Sequence, residues 1–125
     1  MLTEQDLLLE IIKLSPEGAI WAISNDSWEG IPRAFGKEIA KLTKLDWVVF
    51  ITSSNKSLLM QLIENYTLSE KIVHMSIKSK EGIVFFKCSD HMDTILMDFS
   101  QDEFQFFRRK YTELELISKD LSIEE

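Results

Sequence analysis

The segment at residues 19–51, AIWAISNDSWEGIPRAFGKEIAKLTKLDWVVFI, decides the expected fold. It begins and ends with apolar runs, at 19–23 and 47–51, which have strand length and no polar alternation. Between the two runs, apolar residues recur at helical spacing: Ile31, Phe35, Ile39 and Leu42. A strand, a helix over about 31–43 and a second buried strand predict a βαβ unit, in which the two strands are parallel.

The remaining elements are predicted from caps, apolar periodicity and turn residues. Thr3 and Asp6 have capping-box spacing, which marks the start of a helix. Further helices are expected over 55–66 and from Ser100 onward, and strands over 72–78, 83–88 and 94–99. The order αβαβαβββα predicts an α/β (or α+β) fold. Its mixed sheet would have about five strands, two of them central and parallel, with helices on both faces and a C-terminal antiparallel meander.

Composition indicates one globular domain at 1–118, followed by a loose acidic tail at 119–125. A net charge of −7 argues against nonspecific nucleic-acid binding and anionic-membrane binding, since both need a positive surface. The single cysteine, Cys88, excludes an internal disulfide and a zinc cluster of cysteines. Acidic residues near the N-terminus, such as Glu4 and Asp6, are unlike a secretory signal, so we expect a cytoplasmic location.

Two polar loops, at 24–29 and 52–57, follow the predicted parallel strands. Ligands favour the crevice outside the carboxyl ends of such strands, so the loops are expected to be neighbours in one site. Lys56 and the adjacent helix N-terminus would hold an anion, and Asp26 or Glu29 would act as a base. The structural alternative is that these polar residues are only helix caps. The expected ligand-binding residues are Asp26, Trp28, Glu29, Ser53, Asn55 and Lys56.

Three residues, His74, Cys88 and His91, are of types that bind divalent transition metals. Their spacing matches no zinc motif, and their meeting depends on the register of one hairpin. If Ser79 pairs with Ile83, His74 faces Cys88, whereas a slip of one residue puts His74 on the opposite face. Cys88 and His74 would also suit a nucleophile and its base. The structural alternative is that Cys88 is an inert buried thiol. No metal, other cofactor or catalytic residue is therefore predicted.

The C-terminal third carries an acidic cluster and an excess of aromatic residues. Asp102 and Glu103 fall in the first turn of a helix, where they offset the positive end of its dipole. The acidic cluster would also attract a basic partner, although many charge runs are only solvated faces. Phe106 lies about 100° from the apolar stripe of its helix, so it belongs either to a broad core or to an interface. The expected partner-binding residues are Asp90, Asp93, Asp98, Asp102, Glu103 and Phe106.

These features predict a small, acidic, regulatory protein-interaction domain without enzymatic activity, either an adaptor or an inhibitor of the immunity type. Its partner would be another protein of basic character, with a homodimer as a further option. Nucleic acid and membranes are not expected partners. The alternative is a domain that binds a small molecule or anion, or hydrolyses one, with the loops that follow the two parallel strands.

Overall fold

The computed structural model describes residues 2–118, which form one mixed seven-stranded sheet with helices and so confirm the α/β class. The helices are α1 (Glu4–Leu14), α2 (Ile31–Phe35), α3 (Lys56–Tyr66), α4 (Leu68–Lys71) and α5 (Gln101–Lys110). The strands are β1 (Ala19–Ser24), β2 (Ala40–Leu42), β3 (Asp46–Ile51), β4 (Met75–Lys78), β5 (Val84–Ser89), β6 (Thr94–Met97) and β7 (Leu116–Ser118). Their spatial order is β2-β3-β1-β4-β5-β6-β7, and the expected tail at 119–125 lies outside the described residues.

Two helices begin where the sequence predicts a cap. The Thr3 hydroxyl accepts from the Asp6 N–H, and the Asp6 carboxylate accepts from the Thr3 N–H at 2.8 Å. Ser100 and Glu103 form the same reciprocal pair at the start of α5. These bonds satisfy backbone donors that have no partner inside the helix, so both helix starts are determined locally.

The expected helix over 31–43 is wrong beyond its first turn. Helix α2 is five residues long and ends at Gly36, whose backbone has φ +81° and ψ 161°. That conformation belongs almost only to glycine. After Gly36 the chain enters β2, and Ala40 pairs with Val49 of β3. The glycine therefore converts the second half of a predicted helix into an edge strand.

Strands β1 and β3 are neighbours, as expected, but they are antiparallel rather than parallel. Ala19 lies opposite Ile51, and Ser24 lies opposite Asp46. The reason is the turn between β2 and β3, where the Thr43 N–H donates to the Asp46 carbonyl at 2.7 Å. This turn reverses the chain immediately before β3. Strand β2 therefore runs in the direction of β1, and β3 lies between the two strands, antiparallel to both.

The predicted C-terminal meander is confirmed, because β4, β5 and β6 pair antiparallel in sequence order. A true strand–helix–strand connection follows it, which the sequence did not predict. Strand β7 runs parallel to β6, with Ile95 opposite Leu116, and α5 connects the two strands. Strands β2 and β7 account for the two additional strands of the sheet.

One face of the sheet forms the core with the helices. Trp21, Val49 and Phe86 point into that core and are fully buried. The opposite face is accessible, and Phe50 on it is 52% exposed. Along β1, buried and half-buried residues alternate, as in a sheet with one face in water. Within residues 2–118, helices therefore cover one face of the sheet rather than the expected two.

Candidate functional site

The structure separates the two loops that were expected to form a ligand site. They follow β1 and β3, and because these strands are antiparallel, the loops lie at opposite ends of the sheet. Six residues of β1 span about 20 Å between the two ends. The expected site with Asp26, Trp28 and Glu29 beside Ser53, Asn55 and Lys56 is therefore wrong.

The second loop, at 52–57, forms hydrogen bonds to other parts of the protein. Lys56 Nζ donates to the Lys13 carbonyl at 2.9 Å, at the end of α1. The Ser53 N–H donates to the Glu17 carboxylate at 2.7 Å. Asn55 Nδ2 donates to the Phe50 carbonyl at 2.8 Å, whereas its side chain makes no capping bond to α3. The polar groups of this loop thus serve mainly to fix the turn between β3 and α3.

The first loop leaves Asp26 exposed and places Trp28 and Glu29 in a different setting. Trp28 lies against Tyr66 at the end of α3, with 5.3 Å between ring centroids. Trp28, Glu29 and Tyr66 line a depression of about 440 Å³, together with Arg33 of α2. Sequence analysis missed Tyr66 and Arg33, and no local signal marks them because the depression joins distant parts of the chain.

The hairpin register keeps His74 away from the Cys88 thiol. Ser79 and Ile83 do bond across the turn, as one register required. An irregularity between Ile77 and Lys78 then shifts the pairing by one residue, so that Cys88 lies opposite Met75. The Cys88 side chain is buried in the core, whereas His74 is exposed on the other side.

Burial of Cys88 and exposure of His91 also limit the metal chemistry of the three candidate residues. Burial raises the pKa of the Cys88 thiol far above its usual range, which keeps it neutral. His91 is exposed, and its Nδ1 lies 3.7 Å from the Asp90 carboxylate. Among residues 2–118, no three histidine, cysteine or acidic side chains are grouped so as to hold a metal ion. His74, Cys88 and His91 are thus not assembled into one site.

The acidic residues of the C-terminal third fall into two groups. Asp90 and Asp93 occupy the turn before β6, whereas Asp102 and Glu103 begin α5. Strand β6, about 13 Å long, separates them. Asp98 follows β6, half-buried, and its N–H donates to the Phe85 carbonyl at 2.9 Å. The acidic surface expected from the sequence is therefore two smaller surfaces at opposite ends of one strand.

The group at the start of α5 borders an apolar surface. Phe106 is 52% exposed, while Phe104 and Phe107 on the neighbouring face of α5 are buried. Leu14, the last residue of α1, is 58% exposed and lies beside them. We call this surface the α1–α5 depression: a concavity of about 270 Å³ lined by Leu14, Asp102, Glu103, Phe106 and Phe107. It unites three of the six predicted partner-binding residues.

The charges around the α1–α5 depression are uneven. Glu103 Oε1 accepts from the Ser100 N–H and hydroxyl, at 3.2 and 2.9 Å, which orients the carboxylate. Within residues 2–118, neither Asp102 nor Glu103 forms an ion pair. Lys110, whose Nζ lies 5.6 Å from the Phe106 ring centroid, is paired with Glu10 at 2.9 Å. Lys110 is thus neutralised by Glu10, whereas Asp102 and Glu103 have no ion-pair partner within residues 2–118.

Sequence analysis did not identify Leu14 as a candidate site residue. The buried face of α1 is formed by Leu7, Leu8, Ile11 and Ile12. Leu14 lies only about 20° around the helix from Leu7, so its angular position continues the buried face and does not mark it as exposed. Leu14 is the last residue of α1, immediately before Ser15, and it is 58% exposed at that position.

Comparison of the chain with protein-family models, with curated proteins and with solved structures found no match. In the described part of the chain, no helix combines the length and the apolar character needed to cross a bilayer.

Proposed function

We propose that this protein is a non-enzymatic protein-interaction domain, an adaptor or an inhibitor, which binds a basic partner at the α1–α5 depression. One observation carries the proposal: Leu14 and Phe106 are both more than half exposed and line the same concave surface. Two large apolar side chains held together in water favour an interface, because burial of their surface by a partner is stabilising.

The border of the depression supports a basic partner. Asp102 and Glu103 lie next to the apolar pair and have no cation of their own among residues 2–118. A partner with an arginine or lysine beside an apolar side chain would satisfy both features of the surface. Aromatic anchors surrounded by complementary charge are typical of residues that dominate binding energy.

The same charges argue against a symmetric homodimer at this surface. A two-fold axis through Phe106 would bring Asp102 and Glu103 of one copy towards those of the other. Like charges at an interface are destabilising. We therefore propose a different protein as the partner, with the net charge of −7 increasing its rate of encounter.

Asp90 and Asp93 have a secondary role in this proposal. They lie beyond β6 from the depression, and charges separated by more than about 8 Å are largely screened at physiological ionic strength. They therefore contribute to long-range attraction rather than to contacts. The proposal places this regulatory interaction in the cytoplasm, in keeping with a lone thiol, Cys88, that has no cysteine to pair with.

The test is capture of the partner from a lysate of the source cells, with two pairs of matched variants. Phe106→Ser is compared with Phe50→Ser, because both rings are 52% exposed but only Phe106 lines the depression. Asp102→Lys is compared with Asp93→Lys, which makes the same charge change beyond β6. We expect one basic protein to be captured by the wild type, with affinity reduced about tenfold or more by Phe106→Ser.

Asp102→Lys is expected to weaken capture mainly through slower association, by about fivefold, and more at low salt than at high salt. Phe50→Ser and Asp93→Lys should retain the partner. The proposal fails if Phe106→Ser captures the same proteins as the wild type, or if the captured protein is acidic.

A further inference from the structure

The depression at Trp28 and Tyr66 lies at the other end of the helical layer. Helices α1 and α3 pack side by side in opposite directions, since Gln5 Nε2 donates to the Ile63 carbonyl and Lys56 Nζ donates to the Lys13 carbonyl. Tyr66 is therefore near the start of α1, whereas Leu14 is at its end. The two depressions are separate surfaces, and the protein-interaction proposal does not use this one.

Gly30 determines where the Trp28 ring lies. A Cβ atom at Gly30 would be 2.3 Å from Trp28 Cζ2, so only a residue without a side chain lets the ring rest on the backbone there. The reason is steric and not conformational, because Gly30 has φ −81° and ψ −4°, which any residue adopts. Tyr66 contacts the ring as well, at 5.3 Å. Trp28 is thus held in a defined position, half-buried beside an open concavity.

The charges near the Trp28 ring are predominantly positive, in a protein that is acidic overall. Arg33 lines the depression, is exposed, and forms no ion pair among residues 2–118. The Lys71 ammonium lies 5.7 Å from the Trp28 ring centroid. Among residues 2–118, Glu29 is the single carboxylate in the lining. Two cations and one anion beside an aromatic wall favour a ligand that is flat and negatively charged.

We propose that this depression binds a small planar aromatic molecule that carries a carboxylate or a phosphate. Its ring contacts Trp28 and Tyr66, and its anionic group pairs with the Arg33 guanidinium. A volume of about 440 Å³ is within the usual range for small-molecule sites. A cationic ligand is disfavoured, because Lys71 and Arg33 would repel it from the aromatic wall.

The test is a titration of the full-length, ¹⁵N-labelled protein followed by nuclear magnetic resonance. Two probes separate the sources of the anion: adenosine monophosphate for phosphate and indole-3-acetate for carboxylate. Adenosine is the uncharged control. We expect at least one anion to shift the Trp28 indole and the Arg33 amide signals, with a Kd of about 1 mM or tighter, and adenosine to bind more weakly.

Matched variants then assign the contacts. Arg33→Gln should weaken binding about fivefold, whereas Arg109→Gln, which removes an exposed arginine on α5, should leave it unchanged. Gly30→Ala keeps an allowed backbone conformation but displaces the Trp28 ring, and should weaken binding about tenfold. Should that variant not fold, Arg33→Gln alone decides, because its side chain is exposed.

The proposal is overturned if neither anion shifts the Trp28 signal, or if Arg33→Gln and Arg109→Gln bind equally well. Phe106→Ser should not alter these titrations. The two proposals can therefore fail separately. Absence of anion binding overturns the ligand proposal alone, and retained partner binding by Phe106→Ser overturns the protein-interaction proposal alone.

Discussion

Two segments of the chain lead out of one strand, through a helix, and into a strand of the same direction, but only one of them brings the two strands side by side. Between β6 and β7, α5 has ten residues and is about 15 Å long, which exceeds the roughly 13 Å of β6. Between β1 and β2, α2 has five residues and is about 8 Å long, whereas β1 extends over about 20 Å, and β3 lies between the two strands. Helix α5 is long enough to bring the chain back along β6, whereas the return from β1 to β2 also uses the loops at 25–30 and 36–39.

The difference teaches that apolar periodicity predicts which face of a helix is buried, but not how far the helix continues. The stripe over 31–43 would have formed a helix of about 20 Å, long enough to return the chain along β1 by itself. Gly36 interrupts it, and α2 has no side-chain cap at Gly30. Helix α5 has a full capping box, acidic residues in its first turn, and Arg108, Arg109 and Lys110 in its last turn. Its ends are therefore stabilised at both termini.

The largest change in the free energy of unfolding is expected from weakening the packing of α5 on the core. Phe107 is 3% exposed and contacts the rings of Phe99 and Tyr111. Phe107→Ala should lower the free energy of unfolding by about 3–4 kcal/mol, because it leaves a cavity under the helix. Chemical denaturation measures this loss. Phe106→Ala, one residue away and half-exposed, is the control and should change stability by less than about 1 kcal/mol. Equal losses would mean that α5 does not pack through Phe107.

An intermediate effect is expected at the end of α2. Gly36→Ala should lower the free energy of unfolding by about 1–3 kcal/mol, because alanine is strained at φ +81° and ψ 161°. Nothing lies within 4 Å of the added Cβ, so the loss would be conformational rather than steric. Thermal or denaturant unfolding is the measurement, with the exposed Lys37→Ala as a nearly neutral control. A stabilised Gly36→Ala protein would show that the helix can extend beyond Phe35.

A smaller effect is expected from the cap of α5. Ser100→Ala removes the hydroxyl that accepts from the Glu103 N–H and should cost about 1 kcal/mol. Gln101→Ala, in the next position, is the control and should be close to neutral. Hydrogen exchange of the first-turn amides of α5 should become faster in Ser100→Ala only. Unchanged exchange would mean that docking, rather than capping, holds the start of the crossover helix.

A last effect, absent at neutral pH, concerns the attachment of α5 to α1. Tyr111 is buried, and its hydroxyl donates to Glu10 at 2.5 Å. Burial, and then Glu10, raise the pKa of Tyr111 above its usual value of 10.0. Burial likewise raises the pKa of Cys88 above 9.0. The folded state therefore holds these protons more tightly than the unfolded state, and stability should fall as the pH rises above about 9.

Unfolding measured from pH 7 to pH 11 checks this direction, with Tyr111→Phe as the matched variant. The variant keeps the ring but has no hydroxyl to titrate, so its loss of stability with pH should be shallower. Stability that rises with pH in the wild type would contradict the stated directions of both pKa shifts.

Local features of the sequence determined much of this protein. Both capping boxes and the three strands of the meander follow from neighbours a few residues away, in terms of helix ends and strand-length apolar runs. Such features depend on short-range geometry, which is already complete in a short stretch of chain.

The tertiary structure alone decided the direction of β3, the single helical layer and both candidate sites. A buried apolar strand has the same pattern whichever way it runs, so its sequence carries no information about the direction in which it pairs. Leu14 and Phe106 line one depression although they are far apart in the sequence. The rings of Trp28 and Tyr66 are in contact and are likewise distant in the sequence. These contacts form only when the whole core has assembled. Exposed pairs of this kind leave no periodic pattern in the sequence, because their two members are not neighbours along the chain.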